Sequence, residues 1–390
     1  MKAKSTGDQA LIKKINTAIV LDAVLQHEPI SRAKISVLTG LNKATVSNLV
    51  QDLLDQQLVL EAGTGKSSGG RKPVILHFNH RAGFAIGIDL GVNYLHGILT
   101  DVTGNILHKY ELAHQLRDSE QIIELLVECV QQLSKQMPES PYGLVGLGIG
   151  VPGLVDELGT VLLAPHLLWK QVNLQQILET RLQVPVIVDN EANAGALGEL
   201  IYGAGRKTTN QIYISVGIGI GTGLVLNNQL YKGAYGYSGE LGHMSIKFDG
   251  DRCSCGNYGC WELYASEQAL LNGAASLGMH SLSQLLQAAE SGHKEVLALF
   301  DHVGAFLGTG IANIVNTFNP DLIIIGNRMS RARKFLASSV QEAIIARTLP
   351  LNREHIKLQF AELEDHSAVH GAAYAALARF LTQVKEGNLI

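Results

Sequence analysis

Apolar side chains recur at nearly helical period at the start of the chain. They fall at Leu11, Ile15, Ala18, Ile19, Leu21, Ala23, Val24 and Leu25, which predicts one helix over 11–27. Pro29 ends it, because its ring disfavours helical geometry in the preceding residue. Ser31 is placed to cap a short second helix reaching about Leu38. Gly40, in Thr39-Gly40-Leu41, is free to turn left-handed. Asn42 can cap a third helix whose apolar face is Ala44, Val46, Leu49, Val50, Leu53 and Leu54. Two short strand-like runs follow, at 58–61 and 74–78. From Phe84 the pattern changes to buried-strand runs at 85–91, 95–101 and 106–112, a helix at 119–136, and strands at 144–150 and 186–188. A looser repeat comes next. It has a strand at 212–216, a glycine-rich turn over 217–223, helices at 264–276 and 295–317, a strand at 322–325, and helices at 331–346 and 366–381. Strand hairpins followed by helices, twice over, predict two α/β lobes facing a cleft.

Helix, short glycine turn, helix is the helix-turn-helix plan. The first turns of its second helix carry Asn42, Lys43, Thr45, Ser47 and Asn48, which can bond phosphates and read base edges in a major groove. The loop 63–73 between the two strands has four glycines and the cations Lys66, Arg71 and Lys72. Beside a helix-turn-helix, such a loop reads as a wing tracking the DNA backbone. The predicted division is a winged helix-turn-helix over 1–79 and a two-lobed body over 80–390.

Composition agrees with a globular chain: 46% of residues are hydrophobic and 17% charged. No uninterrupted apolar run is long enough to span a bilayer, and the N-terminus lacks a signal-peptide pattern, so a cytoplasmic, non-membrane protein is expected. The net charge of −4 hides an asymmetry. Residues 1–79 hold ten basic and six acidic side chains, and the rest hold 21 and 29. A basic head on an acidic body suits a polyanion binder attached to a soluble sensor.

Three of the four cysteines, Cys253, Cys255 and Cys260, lie within eight residues. That spacing favours a metal over a disulfide framework. With His243 they make a Cys₃His set, which satisfies zinc fully with no open position, so the ion is expected to be structural. Cys129 sits in a helical pattern and reads as a core thiol. Glu240 and Glu262 flank the metal loop, and carboxylates converging on a cleft suit a polyol.

The motifs GIDLG (87–91), VPGLVD (151–156), NEANAGALGE (190–199), GELGH (239–243) and CSCGNYGCWE (253–262) resemble the ROK family of repressors, open reading frames and kinases. SPYGL, SGELGHM and CWELYASE are most similar to the family's xylose repressors. The resemblance implies an actin-like, two-lobed sugar-kinase fold behind the DNA-binding head, and xylose as the effector. It implies sugar contacts at Asn190, Glu240, His243 and Glu262, a backbone position near the sugar at Gly153, and Glu191 beside it. His243 would serve metal and sugar through different ring nitrogens. The family's kinases have an Asp base where this chain has Glu191, a Gly-Thr pair where it has Val92-Asn93, and a second glycine where it has Asn327. These departures imply a sugar sensor without kinase activity. The alternative is an active sugar kinase with a DNA-binding appendage, and a third route is control by a docked protein. A homodimer is expected, since paired recognition helices match a palindromic operator. His166 and Trp169 are further candidates for the sugar rim.

Overall fold

The computed structural model describes residues 9–64 and 73–387. Three helices open the chain: α1 (Gln9–His27), α2 (Arg32–Thr39) and α3 (Lys43–Asp55). The Ser31 hydroxyl accepts from the Lys34 amide at 3.3 Å, and Asn42 Oδ1 accepts from the Thr45 amide at 2.8 Å, so both predicted caps form. Gly40 closes α2 with φ of 71°. An antiparallel sheet ordered Ile30–Ser31, Val74–Phe78, Val59–Thr64 completes the domain. Its first strand, only two residues long, was too short to read from pattern. Lys66, Arg71 and Lys72 lie outside the described residues.

The helical period placed the α1 core imperfectly. Val20, Leu21, Ala23 and Val24 are buried, but Leu11, Ile15 and Ile19 are exposed. The buried positions of α1 all lie in its second half, in a core that includes Val384. Ala44 is also exposed, on the outer side of α3.

The body contains two five-stranded sheets. The first is ordered Val186–Asn190, Leu144–Val151, Phe84–Leu90, Tyr94–Asp101, Ile106–Ala113. The second is ordered Leu358–Phe360, Leu322–Gly326, Gln211–Val216, Ile220–Leu226, Gln229–Leu230. In each, three antiparallel strands run to one side and two parallel strands are added on the other. The lobes are thus the same topological unit used twice. The predicted glycine-rich turn over 217–223 is shorter than expected. The strand resumes at Ile220, because its glycines alternate with Ile220, Thr222 and Leu224 in register with Gln211–Val216. A small sheet of Leu154–Val155, Val161–Ala164 and Trp169–Val172 and the helices Leu174–Leu182 and Leu282–Glu290 were not anticipated.

Among the described residues, the helix Lys294–Phe318 alone is long and apolar enough to cross a membrane by length and composition. It carries Asp301 and His302 midway and buries Phe300, Leu307 and Ile311 in the second lobe's core.

Two helices join the lobes. Glu191–Tyr202 lies against Gln211–Val216 and Ile220–Leu226, and Ser367–Lys385 lies against Phe84–Leu90 and Leu144–Val151. The helices touch backbone to backbone. A β-carbon on Gly198 would sit 2.1 Å from the Ser367 carbonyl oxygen, so glycine is required for this approach. The far end of Ser367–Lys385 enters the first domain. Ala376, Leu377, Phe380 and Val384 share a core with Val20, Leu21, Leu76 and Phe78. Lys385 pairs with Asp22 at 2.7 Å, and the Tyr142 hydroxyl donates to the Gln56 carbonyl at 2.9 Å.

Candidate functional site

A cavity of about 360 Å³ lies between the lobes. It is lined at one end by Glu240, His243, Cys255 and Glu262, and at the other by Gly91, Val92, Tyr94, Asn327 and Arg328. Gly153, Asn190, Glu191 and His166 line it between these ends. Gly153, His166, Asn190, Glu191, Glu240, His243 and Glu262, all expected near the sugar, therefore border one space. Trp169 does not. It is buried, and its indole N–H donates to the Arg117 carbonyl at 2.9 Å, which makes it a core anchor of the small sheet.

The wall is set by local chemistry. Asn190 caps the helix Glu191–Tyr202, accepting from the Ala192 amide at 2.8 Å. Its amide donates to the Gly153 carbonyl at 2.8 Å, which fixes the Val151-Pro152-Gly153 turn against the helix start. Gly153 has φ of 124° and no room for a β-carbon, which would lie 2.3 Å from the Leu163 carbonyl oxygen. Next to it, Asp189 accepts from the Asn190 amide and from Asn193, and pairs with Lys232 of the second lobe at 2.5 Å.

The zinc-loop prediction is met as a donor cluster. The ligand atoms of His243, Cys253, Cys255 and Cys260 all lie within 4.8 Å of one another. Cys255 and Cys260 sulfurs are 3.7 Å apart, and Cys253 Sγ is 3.7 Å from His243 Nδ1. A metal–sulfur bond of about 2.3 Å gives a tetrahedral sulfur–sulfur edge of about 3.8 Å, so these separations suit one four-coordinate ion. His243 turns Nδ1 to the thiols and Nε2 to Glu240, at 3.9 Å. Glu262, 6% exposed, approaches His243 Nδ1 at 3.4 Å. Trp261 anchors the loop, fully buried and donating to the Phe306 carbonyl at 2.9 Å. Gly259 is obligatory, since a β-carbon would meet the Lys247 carbonyl oxygen at 1.8 Å. Burial raises the Glu240 carboxyl; His243 opposes the rise and Glu262 adds to it.

The other end of the cavity is occupied by the chain's own side chains. Glu191 Oε1 accepts from the Ser215 hydroxyl at 2.5 Å and from the Asn327 amide at 2.9 Å. Asn327 holds φ of 62°, a backbone region that favours glycine, while its side chain fills the space beside Gly217. Tyr94 was not anticipated. Its ring lies over Gly91, where a β-carbon would be 2.2 Å from it, and its hydroxyl donates to Asp89 at 3.1 Å. Asp89 is buried, and its carboxyl is raised by that burial and by the nearby Glu191. Arg328 spans the lobes, donating to Asn93 at 3.2 Å and pairing with buried Glu267 at 3.0 Å. The three departures at Glu191, Val92-Asn93 and Asn327 thus belong to one polar clasp. A spacing argument misses Tyr94, Ser215 and Glu267 because they come from separate strands and helices. Cys129 is buried as expected, its thiol pushed up to about 12 by that burial.

Of the residues expected to meet DNA, Lys43, Ser47 and Asn48 are exposed on α3 and Thr45 is half-buried. Asn42 is exposed, but its side chain is committed to the helix cap.

Residues 85–379 match the ROK family, and the chain belongs to that family. It is 42% identical over 382 residues to the xylose repressor of Bacillus spizizenii, covering 97% of this chain and 99% of that one. It is 41% identical over 393 residues to the xylose repressor of Caldicellulosiruptor bescii, covering 96% and 98%. Among solved structures, it is similar to a ROK family transcriptional regulator over 96% of this chain and 99% of that one, with a TM-score of 0.80 at 30% identity. A glucokinase from Streptomyces griseus, solved with glucose and AMPPNP, is similar over 75% of this chain and 98% of its own, with a TM-score of 0.69 at 29% identity. The kinase therefore matches the two-lobed body, whereas the regulators match the head as well. The chain is a ROK regulator with the actin-like sugar-kinase fold.

Proposed function

We propose that this chain is a sugar-responsive repressor that binds operator DNA through α3 and the wing and is released when sugar occupies the cleft. The observation that carries this reading is the helix pair between the two sites. The helix that begins at Asn190-Glu191 in the cavity packs on Ser367–Lys385, and the latter ends inside the core of the winged domain. A change in lobe angle moves the first helix against the second, and such bistable packing is what coupling requires.

In this reading Asn190, Glu240, His243 and Glu262 bond sugar hydroxyls, with Gly153 and Glu191 on the adjoining wall. Zinc on His243 Nδ1, Cys253, Cys255 and Cys260 holds Glu240 and Glu262 in place, and its role is structural. Lys43, Thr45, Ser47 and Asn48 face the major groove, Asn42 orients them as the cap, and Lys66, Arg71 and Lys72 supply the wing's charge. The head spans 1–79 and the body 80–390, two chains pair on a palindromic site, and the protein works in the cytoplasm. Xylose is the effector suggested by the repressors named above.

The test is operator binding by the full chain, followed by fluorescence anisotropy on DNA from upstream of its own gene. Expected is specific binding that D-xylose reverses, with no ATP consumed. DNA binding that no pentose or hexose alters would overturn the sugar-responsive reading.

A further inference from the structure

Between Gln229–Leu230 and Glu240 the chain leaves the second lobe in a loop carrying Tyr231, Tyr235 and Tyr237. All three rings are exposed, Tyr235 at 72%. Tyr235 and Tyr237 are stacked, with centroids 6.1 Å apart and planes 21° from parallel. Exposed aromatic rings are costly to keep without a purpose, and tyrosine combines an apolar face with a polar tip.

Three anchors place this loop at the rim of the cavity. Lys232 pairs with Asp189, one residue before Asn190. Gly236, between the stacked tyrosines, lies against the turn after Leu154, and a β-carbon there would be 3.4 Å from the Val155 carbonyl oxygen. Glu240, three residues beyond Tyr237, lines the cavity itself. Each anchor is within two residues of a cavity-lining position, on both lobes. The cavity lining next to Val155 includes the apolar side chains of Leu154, Leu163 and Pro165, with His166 beside them.

We infer that Tyr235 and Tyr237 form a second glycosyl subsite, so that the effector class includes oligosaccharides whose terminal unit fills the cavity. The C–H face of a pyranose stacks on an aromatic ring, and the ring's free hydroxyls stay in water. A stacked aromatic pair in a loop anchored at the rim of a polar pocket fits a chain of such units better than it fits a lone monosaccharide. The proposal rests on the reading of the cavity as a sugar site.

The experiment is calorimetric titration of the full-length, zinc-replete protein with D-xylose and with xylobiose, for the wild type, Tyr235→Ala/Tyr237→Ala and Tyr235→Phe/Tyr237→Phe. The expected result is at least tenfold tighter binding of xylobiose than of xylose by the wild type. The Ala pair loses that gain while keeping the xylose affinity, which also shows that it folds; the Phe pair retains it. If xylose binds and xylobiose binds no tighter, or if the Ala pair leaves the gain intact, the subsite is overturned and the cavity reading stands. If neither sugar binds, the cavity reading falls and takes the subsite with it.

Discussion

Gly371 of the last helix packs on Ala194 so closely that a β-carbon on it would lie 1.7 Å from the Ala194 carbonyl oxygen. Ala194 is one turn beyond the cavity residues Asn190 and Glu191, and Gly371 is about one and a half to three and a half turns before the residues that enter the core of the N-terminal domain. In the proposed coupling this contact is the mechanical joint between the two sites. Gly371→Ala forces the helices apart, at about 1–3 kcal/mol for overpacking. The melting temperature should fall, and sugar should change operator affinity less than in the wild type. Thermal unfolding and anisotropy with and without sugar check both.

The metal loop predicts a separable loss. Cys253→Ser removes a thiolate that a structural ion requires, and a structural ion contributes directly to folding of its loop. Bound zinc, measured by elemental analysis, should drop well below one per chain. Sugar affinity should fall by at least tenfold, because Glu240 and Glu262 lose their platform. No residue of the metal loop belongs to the core that the N-terminal helices share with the last helix, so DNA binding should persist.

On the recognition helix, capping and reading can be told apart. Asn42→Ala removes the bond to the Thr45 amide and should cost about 1 kcal/mol of stability. Lys43→Ala and Asn48→Ala alter exposed side chains and should leave the melting temperature nearly unchanged. Both should weaken operator binding, and Lys43→Ala should lower the salt dependence by about one counterion. Unfolding curves beside salt-series anisotropy separate the two effects.

The buried carboxyls predict a pH dependence. Burial and the nearby Glu191 raise Asp89 above its ordinary 3.8. Burial raises Glu191 above 4.5, with Ser215 and Asn327 opposing it. The folded protein therefore keeps protons that the unfolded chain releases at those values. Stability from these groups is full below them and is lost as pH rises through the folded values. Asp89→Asn preserves an acceptor for the Tyr94 hydroxyl and removes the ionisation. Its melting temperature should exceed the wild type's at pH 8, with the difference shrinking toward pH 4. An equal difference at both pH values contradicts the prediction.

Much of this arrangement was legible in the residues. Ser31, Gly40 and Asn42 announced the helix-turn-helix because caps and left-handed turns demand those side chains locally. The cysteine spacing announced the metal cluster for the same reason. What stayed hidden depends on distant parts of the chain meeting. The exposed faces of Leu11, Ile15 and Ile19 follow from where α1 finds a neighbour, which periodicity does not encode. Trp169 looked like a rim residue until its indole was seen bonded to Arg117 in the core. The clasp of Glu191, Ser215 and Asn327 joins a helix start to one strand of the other lobe and to the turn after a second. Its members showed in the sequence only as departures from a kinase pattern, and the structure supplies what they do instead.

In the proposed mechanism sugar and operator compete through one two-state body. Its most direct test is calorimetric titration of the full-length, zinc-replete protein with D-xylose, alone and saturated with operator DNA. Linkage requires the factor by which sugar weakens DNA binding to equal the factor by which DNA weakens sugar binding. The expected result is a reduction of about 5–150-fold in sugar affinity on DNA, the usual span of coupling between sites. Sugar binding of equal strength in both states would contradict it.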